Sequence, residues 1–146
     1  MEGPEQTQLQ GPKPQRPGLL TVVCILTYVG SGMNLISSII IFLFFDAFKV
    51  VAANLAKTLN LPGMDMLING PSVFFAVSAL IYAIAITGAL LMWQLRKVGF
   101  HVYTISQIIL VIAPMYFFKL SGPGMMDILL AGVFILLYSM NLKAMS

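Results

Sequence analysis

At 146 residues the chain has the length of one domain. Its residues are 59% hydrophobic and 9% charged, against about 25% charged in a soluble domain, so no water-facing surface of normal polarity can be assembled and lipid must cover much of the exterior. The formal net charge is +3, but the basic residues stand singly or in one pair, which argues against nucleic acid as a partner and makes them topology signals instead.

Met1–Pro17 is rich in Pro, Gln and Gly, with Pro4, Pro12, Pro14 and Pro17 each blocking a helix. Such a segment buries too little to order itself, so residues 1–18 are expected to form a disordered cytoplasmic tail ahead of a membrane domain over 19–146. Four apolar stretches fill that domain: Leu19–Phe45, Ser72–Leu95, Phe100–Phe118 and Met125–Leu142. A bilayer core takes about 20 apolar residues of helix to cross. The first three stretches meet that length without an internal charge, and the fourth is shorter and carries Asp127 near its start. Leu19–Phe45 is far longer than the apolar region of a signal peptide and is expected to remain as an anchor. Arg16-Pro17 marks its start, where the missing proline N–H costs little.

Residues 46–70 form the longest connection. Phe48, Val51, Leu55 and Leu59 recur there at helical spacing, which predicts an amphipathic helix that lies on the membrane or continues the first span outward, with an apolar face for lipid or a partner helix. Leu61-Pro62-Gly63 ends it, and Asn69-Gly70-Pro71 is a turn. The second and third spans are joined by Gln94–Phe100, with Trp93 before the basic pair Arg96-Lys97 and His101 and Tyr103 after it. Aromatic rings beside basic residues suit a membrane interface, so Trp93, Arg96, Lys97 and His101 read as inner-interface anchors. The third and fourth spans are joined by Lys119–Gly124. Both connections are short, so neighbouring helices are expected to run antiparallel. Lys13, Arg16, Arg96, Lys97 and Lys143 fall on one side and Lys49, Lys57 and Lys119 on the other, a bias that predicts both termini inside.

Small and weakly polar residues recur on the helix faces: Cys24, Thr27, Ser31, Asn34 and Ser38 in the first span; Ser72, Ala76, Ala79, Ala83 and Thr87 in the second; Tyr103, Ser106, Gln107 and Pro114 in the third; Gly132 and Ser139 in the fourth. This spacing lets membrane helices approach and hydrogen-bond across a seam. Thr27, Ser31, Asn34, Ser38, Tyr82, Ser106 and Gln107 are accordingly candidates for helix contacts, or for a polar pathway that would also include Tyr28. By helical rise Gln107 lies about 10 Å and Thr27 about 12 Å from the cytoplasmic end, close enough in depth to pair, while Asn34 lies about 22 Å in, level with Ser78 or Tyr82.

No ionisable residue falls deep in a span, Asp46, Asp65 and Asp127 being placed at or beyond the outer interface, so the usual marker of proton or ion coupling is missing. The single cysteine, Cys24, allows no internal disulfide. The single histidine, His101, allows no paired-histidine haem site, and no His, Cys, Asp and Glu cluster has metal-ligand spacing. No catalytic residue, cofactor or metal site is therefore expected.

Three segments carry a family resemblance: Arg16-Pro17-Gly18-Leu19-Leu20-Thr21-Val22 with Cys24-Ile25-Leu26-Thr27, then Met92-Trp93-Gln94-Leu95-Arg96-Lys97-Val98-Gly99-Phe100 with Tyr103, and Leu136-Leu137-Tyr138-Ser139-Met140-Asn141-Leu142-Lys143. Together they resemble a group of small four-helix membrane proteins found chiefly in the Bacteroidetes. Gln94 departs from the basic residue expected in that group. The resemblance implies a bacterial inner membrane and no particular activity. The resulting expectation is an all-α integral membrane protein, an antiparallel four-transmembrane-helix bundle with an amphipathic segment between helices 1 and 2. It is expected to act without catalysis as an accessory or scaffold subunit of the cell envelope, partnered by lipid, by another membrane protein or by copies of itself. The rival expectations are a small oligomeric channel or carrier and, third, an enzyme acting on lipids.

Overall fold

A computed structural model describes residues 15–119, 122 and 124–145. Most of the N-terminal tail and part of the 119–124 connection lie outside them. Every regular element in the described residues is helical: α1 Gly18–Leu43, α2 Phe45–Leu59, α3 Met64–Asn69, α4 Val73–Trp93, α5 Lys97–Phe118 and α6 Met125–Met140, followed by a single 3₁₀ turn, Leu142–Ala144.

Helices α1, α4 and α5, of 26, 21 and 22 residues, are long and apolar enough to cross a membrane. Helix α6 has 16 residues and is about 24 Å long, less than the bilayer core of about 30 Å. The fourth span expected over 125–142 is thus matched by a shorter helix whose first residues are exposed.

The helices are built inside out relative to a soluble protein. Large apolar side chains point outward, among them Val22, Val29, Ile36, Leu80, Ile105 and Ile112, while small ones such as Cys24, Thr27, Ser31, Ser78, Ala85, Ala89 and Ser106 are buried. Lipid accommodates the first set, and the second lets helix backbones approach. Helix α4 is central and packs along both α1 and α5. Gly88 of α4 lies against the backbone of Tyr103, and Gly99 of α5 against that of Met92, so α4 and α5 form an antiparallel hairpin whose main chains touch. Helix α6 packs more sparsely, on α5 and α1.

Three boundaries differ from the sequence expectation. Phe44, at φ −114° and ψ 38°, interrupts the first helix, so the amphipathic segment follows α1 after a single non-helical residue. Between the Leu61-Pro62-Gly63 stop and the Asn69 turn, where the sequence marks no element, stands α3, capped at its start by Gly63 with φ 89°; only a residue without a Cβ adopts that conformation readily. The seven-residue turn expected at Gln94–Phe100 is tighter, because helix resumes at Lys97. Leu95 turns the chain at φ 61°, with its N–H bonded to Met92 O at 2.9 Å and the Arg96 N–H bonded to Leu91 O at 3.0 Å.

At the end of the molecule that holds the start of α1, Leu20, Val23, Cys24, Ala89, Met92, Tyr103 and Tyr138 form one buried cluster. The opposite end is closed by aromatic rings: Phe75 meets Phe45 and Phe48, each at 5.8 Å, and Phe74 meets Phe117 at 5.6 Å and Phe118 at 4.8 Å.

Candidate functional site: a polar cavity between the helices

Between these closed ends lies a half-open cavity of about 380 Å³, lined from α1, α4, α5 and α6. Its size falls in the usual range for small-molecule sites. The polar groups come from Ser31 and Asn34 on α1, Ser78 and Tyr82 on α4, Gln107 on α5 and Asp127 on α6; the apolar wall includes Phe74, Tyr103, Leu110, Leu130 and Phe134.

Ser31 is 7% exposed and Ser78 5%, and among the described residues neither hydroxyl has a hydrogen-bond partner. A hydroxyl left unpaired in an apolar medium is costly. Both border open space, so water or a solute is the natural partner. Pro114 adds a further acceptor. It stands inside α5 and lines the cavity together with Leu110, four residues earlier. Proline brings no N–H, so the Leu110 carbonyl loses its helical partner. Irregular or freed backbone at membrane depth is tolerated where it borders a cavity.

The structure brings together Ser31, Asn34, Tyr82 and Gln107 of the sequence candidates and separates the rest. Asn34 and Gln107 do not tie helix pairs together. The Asn34 amide donates to its own helix, to Gly30 O at 2.8 Å, and Gln107 faces the cavity. Nor does Thr27 pair with Gln107. Its hydroxyl lies 2.7 Å from the Tyr138 phenol, which donates to Val23 O at 3.2 Å, so α6 takes the place expected for α5. Ser106 is buried and donates to Val102 O at 2.8 Å. Ser38 is buried outside the cavity. Tyr28 is also outside it, with its ring 6.1 Å from that of Trp93 and its hydroxyl buried without a partner.

The interface candidates divide in the same way. Trp93 carries a cation on its face, but the cation is Arg16, at 4.4 Å; Arg96, Lys97 and His101 are exposed beyond it. On α2, Phe48 is drawn into the aromatic cluster, whereas Val51, Leu55 and Leu59 stay 64%, 43% and 58% exposed.

Asp127 is the site residue whose place the sequence does not give. Counted along the chain it sits at an outer surface. In the structure it is exposed in the first turn of α6 and also borders the cavity with Asn34 and Ser78. Phe134 lacks a signal of its own in the sequence, being one more apolar residue in an apolar run, and Ser78 is marked only by its depth, level with Asn34. No family model, curated protein or solved structure matches the chain.

Proposed function

We propose that the chain is a non-enzymatic, multi-pass membrane protein that holds a small polar solute in this cavity, as a small channel or carrier does. In this reading α1, α4, α5 and α6 form an antiparallel four-helix bundle in a bacterial inner membrane, with both termini inside. The observation that carries it is the pair of unpartnered hydroxyls of Ser31 and Ser78, two largely buried residues that open onto a cavity of about 380 Å³. Packing alone would favour closing such a space, since voids forfeit contacts. The basic residues near Trp93 and the family resemblance support the orientation and the location.

The test is water access. With Cys24 replaced by serine, Ser78→Cys is expected to react with a membrane-impermeant methanethiosulfonate in intact vesicles. Leu80→Cys, on the lipid-facing side of α4 and 63% exposed in the isolated chain, is expected to stay unlabelled. Equal protection of both would remove the reading.

The open face of α2 favours a second reading, an accessory subunit docked through Val51, Leu55 and Leu59. It predicts that Leu55→Glu abolishes capture of a stoichiometric partner from membranes in mild detergent, leaving Ser78→Cys labelling intact.

A further inference from the structure

We propose that the solute of the cavity is a small organic ammonium cation, with Asp127 as its counter-ion. The inference rests on the solute-cavity reading above and deepens it. The lining offers several acceptor oxygens, from Asp127, Asn34, Gln107 and the serine hydroxyls, beside the donors of the same amides and hydroxyls. Among the described residues Asp127 is the only charged side chain on the wall, and no Lys, Arg or His lines it. The Asn34 amide gives one of its two N–H donors to Gly30 O and leaves its carbonyl oxygen free. The Leu110 carbonyl is freed by Pro114, and the serine hydroxyls accept as readily as they donate. An anion would find no positive partner here and would face a carboxylate.

The remaining wall selects among cations. No group of three or more His, Cys, Asp or Glu exists among the described residues, so a tightly ligated divalent metal lacks its donors. A cavity of about 380 Å³ also exceeds what one bare ion fills. Instead Phe74, Tyr82, Tyr103 and Phe134 supply aromatic rings from α4, α5 and α6, and aromatic faces hold alkylammonium groups through cation–π attraction as well as apolar contact. One carboxylate, several acceptor oxygens and aromatic walls together match a cation that carries hydrocarbon.

Choline is a suitable probe, with dimethylbutanol as its uncharged carbon isostere. The full chain in lipid nanodiscs is titrated with each by calorimetry. Choline is expected to bind saturably at one site per chain. Dimethylbutanol is expected to bind about tenfold more weakly or worse, and Asp127→Asn to weaken choline by a similar factor, as the loss of the charge partner would. Asp127→Glu is expected to restore most of the affinity. Asp127→Asn keeps the side-chain shape, and an unchanged thermal midpoint certifies the fold. Equal affinity for choline and its isostere, or choline binding that ignores Asp127→Asn, overturns the cation and leaves the solute cavity standing. No saturable choline binding also overturns it, while labelling of Ser78→Cys decides the cavity separately.

Discussion

Replacing Gly99 with leucine will part α4 from α5 and abolish the folded helical domain. A Cβ at this position would stand 2.5 Å from the Met92 nitrogen, 2.6 Å from Gly88 O and 2.8 Å from Leu91 Cβ. The first two obstacles are backbone atoms of a helix, which cannot swing aside as the tip of a long side chain can. Across the same contact, a Cβ on Gly88 would meet the Tyr103 nitrogen at 2.8 Å and Gly99 O at 3.1 Å. The two glycines therefore form one crossing point on which the hairpin depends. Overpacking a rigid core typically costs about 1–3 kcal/mol; here relief requires moving a whole helix, so the cost of Gly99→Leu is expected to exceed about 3 kcal/mol. Gly132 of α6 has nothing within 4 Å of its added Cβ, so Gly132→Leu should be tolerated. Size-exclusion profile and thermal midpoint in detergent check both: Gly99→Leu should elute as aggregate, and Gly132→Leu as the native species. A monodisperse, normally melting Gly99→Leu would show that α4 and α5 are not in main-chain contact.

This crossing also explains what the sequence could and could not disclose. The long apolar stretches were legible from composition, because lipid as a solvent demands them whatever the packing. Depth along each helix was legible too: rise per residue placed Asn34 level with Ser78 and Tyr82, and all three line the cavity. The buried face of α4 was not. A periodic reading selects Ser72, Ala76, Ala79, Ala83 and Thr87, whereas the helix buries Phe75, Ser78, Ala79, Ile81, Ala85, Gly88, Ala89 and Met92. Because α4 is central, it buries one face against α1 and another against α5, and no single stripe marks it. Thr87, which looked like a contact residue, is exposed and returns its hydroxyl to Ala83 O at 3.0 Å. That bond satisfies it within its own helix, as serine and threonine commonly do in membrane spans.

Hydrogen-bond partners were the least legible feature. Thr27 and Gln107 agree in depth, but depth says nothing of the direction a side chain faces, and Tyr138 belongs to a helix whose length was the least certain from sequence. That Asp127, exposed in the first turn of α6, also borders the cavity was not legible for a related reason. Its position follows from where α6 is pinned and from how few residues separate it from that pin, both tertiary facts.

Tyr138 is that pin, and its loss should release α6. It is fully buried, its ring stands edge-on to Tyr103 with centroids 4.8 Å apart, and its hydroxyl joins the Thr27 hydroxyl and Val23 O. Since Thr27 can donate to the phenol while the phenol donates to Val23 O, the three groups form a fully satisfied chain from α6 into α1. Helix α6 otherwise touches its neighbours sparsely, so little else compensates. Tyr138→Ala removes a large buried ring and is expected to cost about 3–5 kcal/mol. Tyr138→Phe keeps the ring and removes only the hydrogen bonds, which in membrane proteins are worth about 0.6–1.7 kcal/mol. Thr27→Val should cost a similar small amount, and the Thr27→Val, Tyr138→Phe double variant less than the sum, because both act on one hydrogen bond. Additive costs would mean that the hydroxyls do not meet. The consequence for the cavity is the sharper readout. Helix α6 carries Asp127, Ala131 and Phe134 to it, so Tyr138→Ala should lose choline binding even where α1, α4 and α5 remain folded, while Tyr138→Phe should retain it. Retained binding in Tyr138→Ala would show that α6 holds its place without the tyrosine.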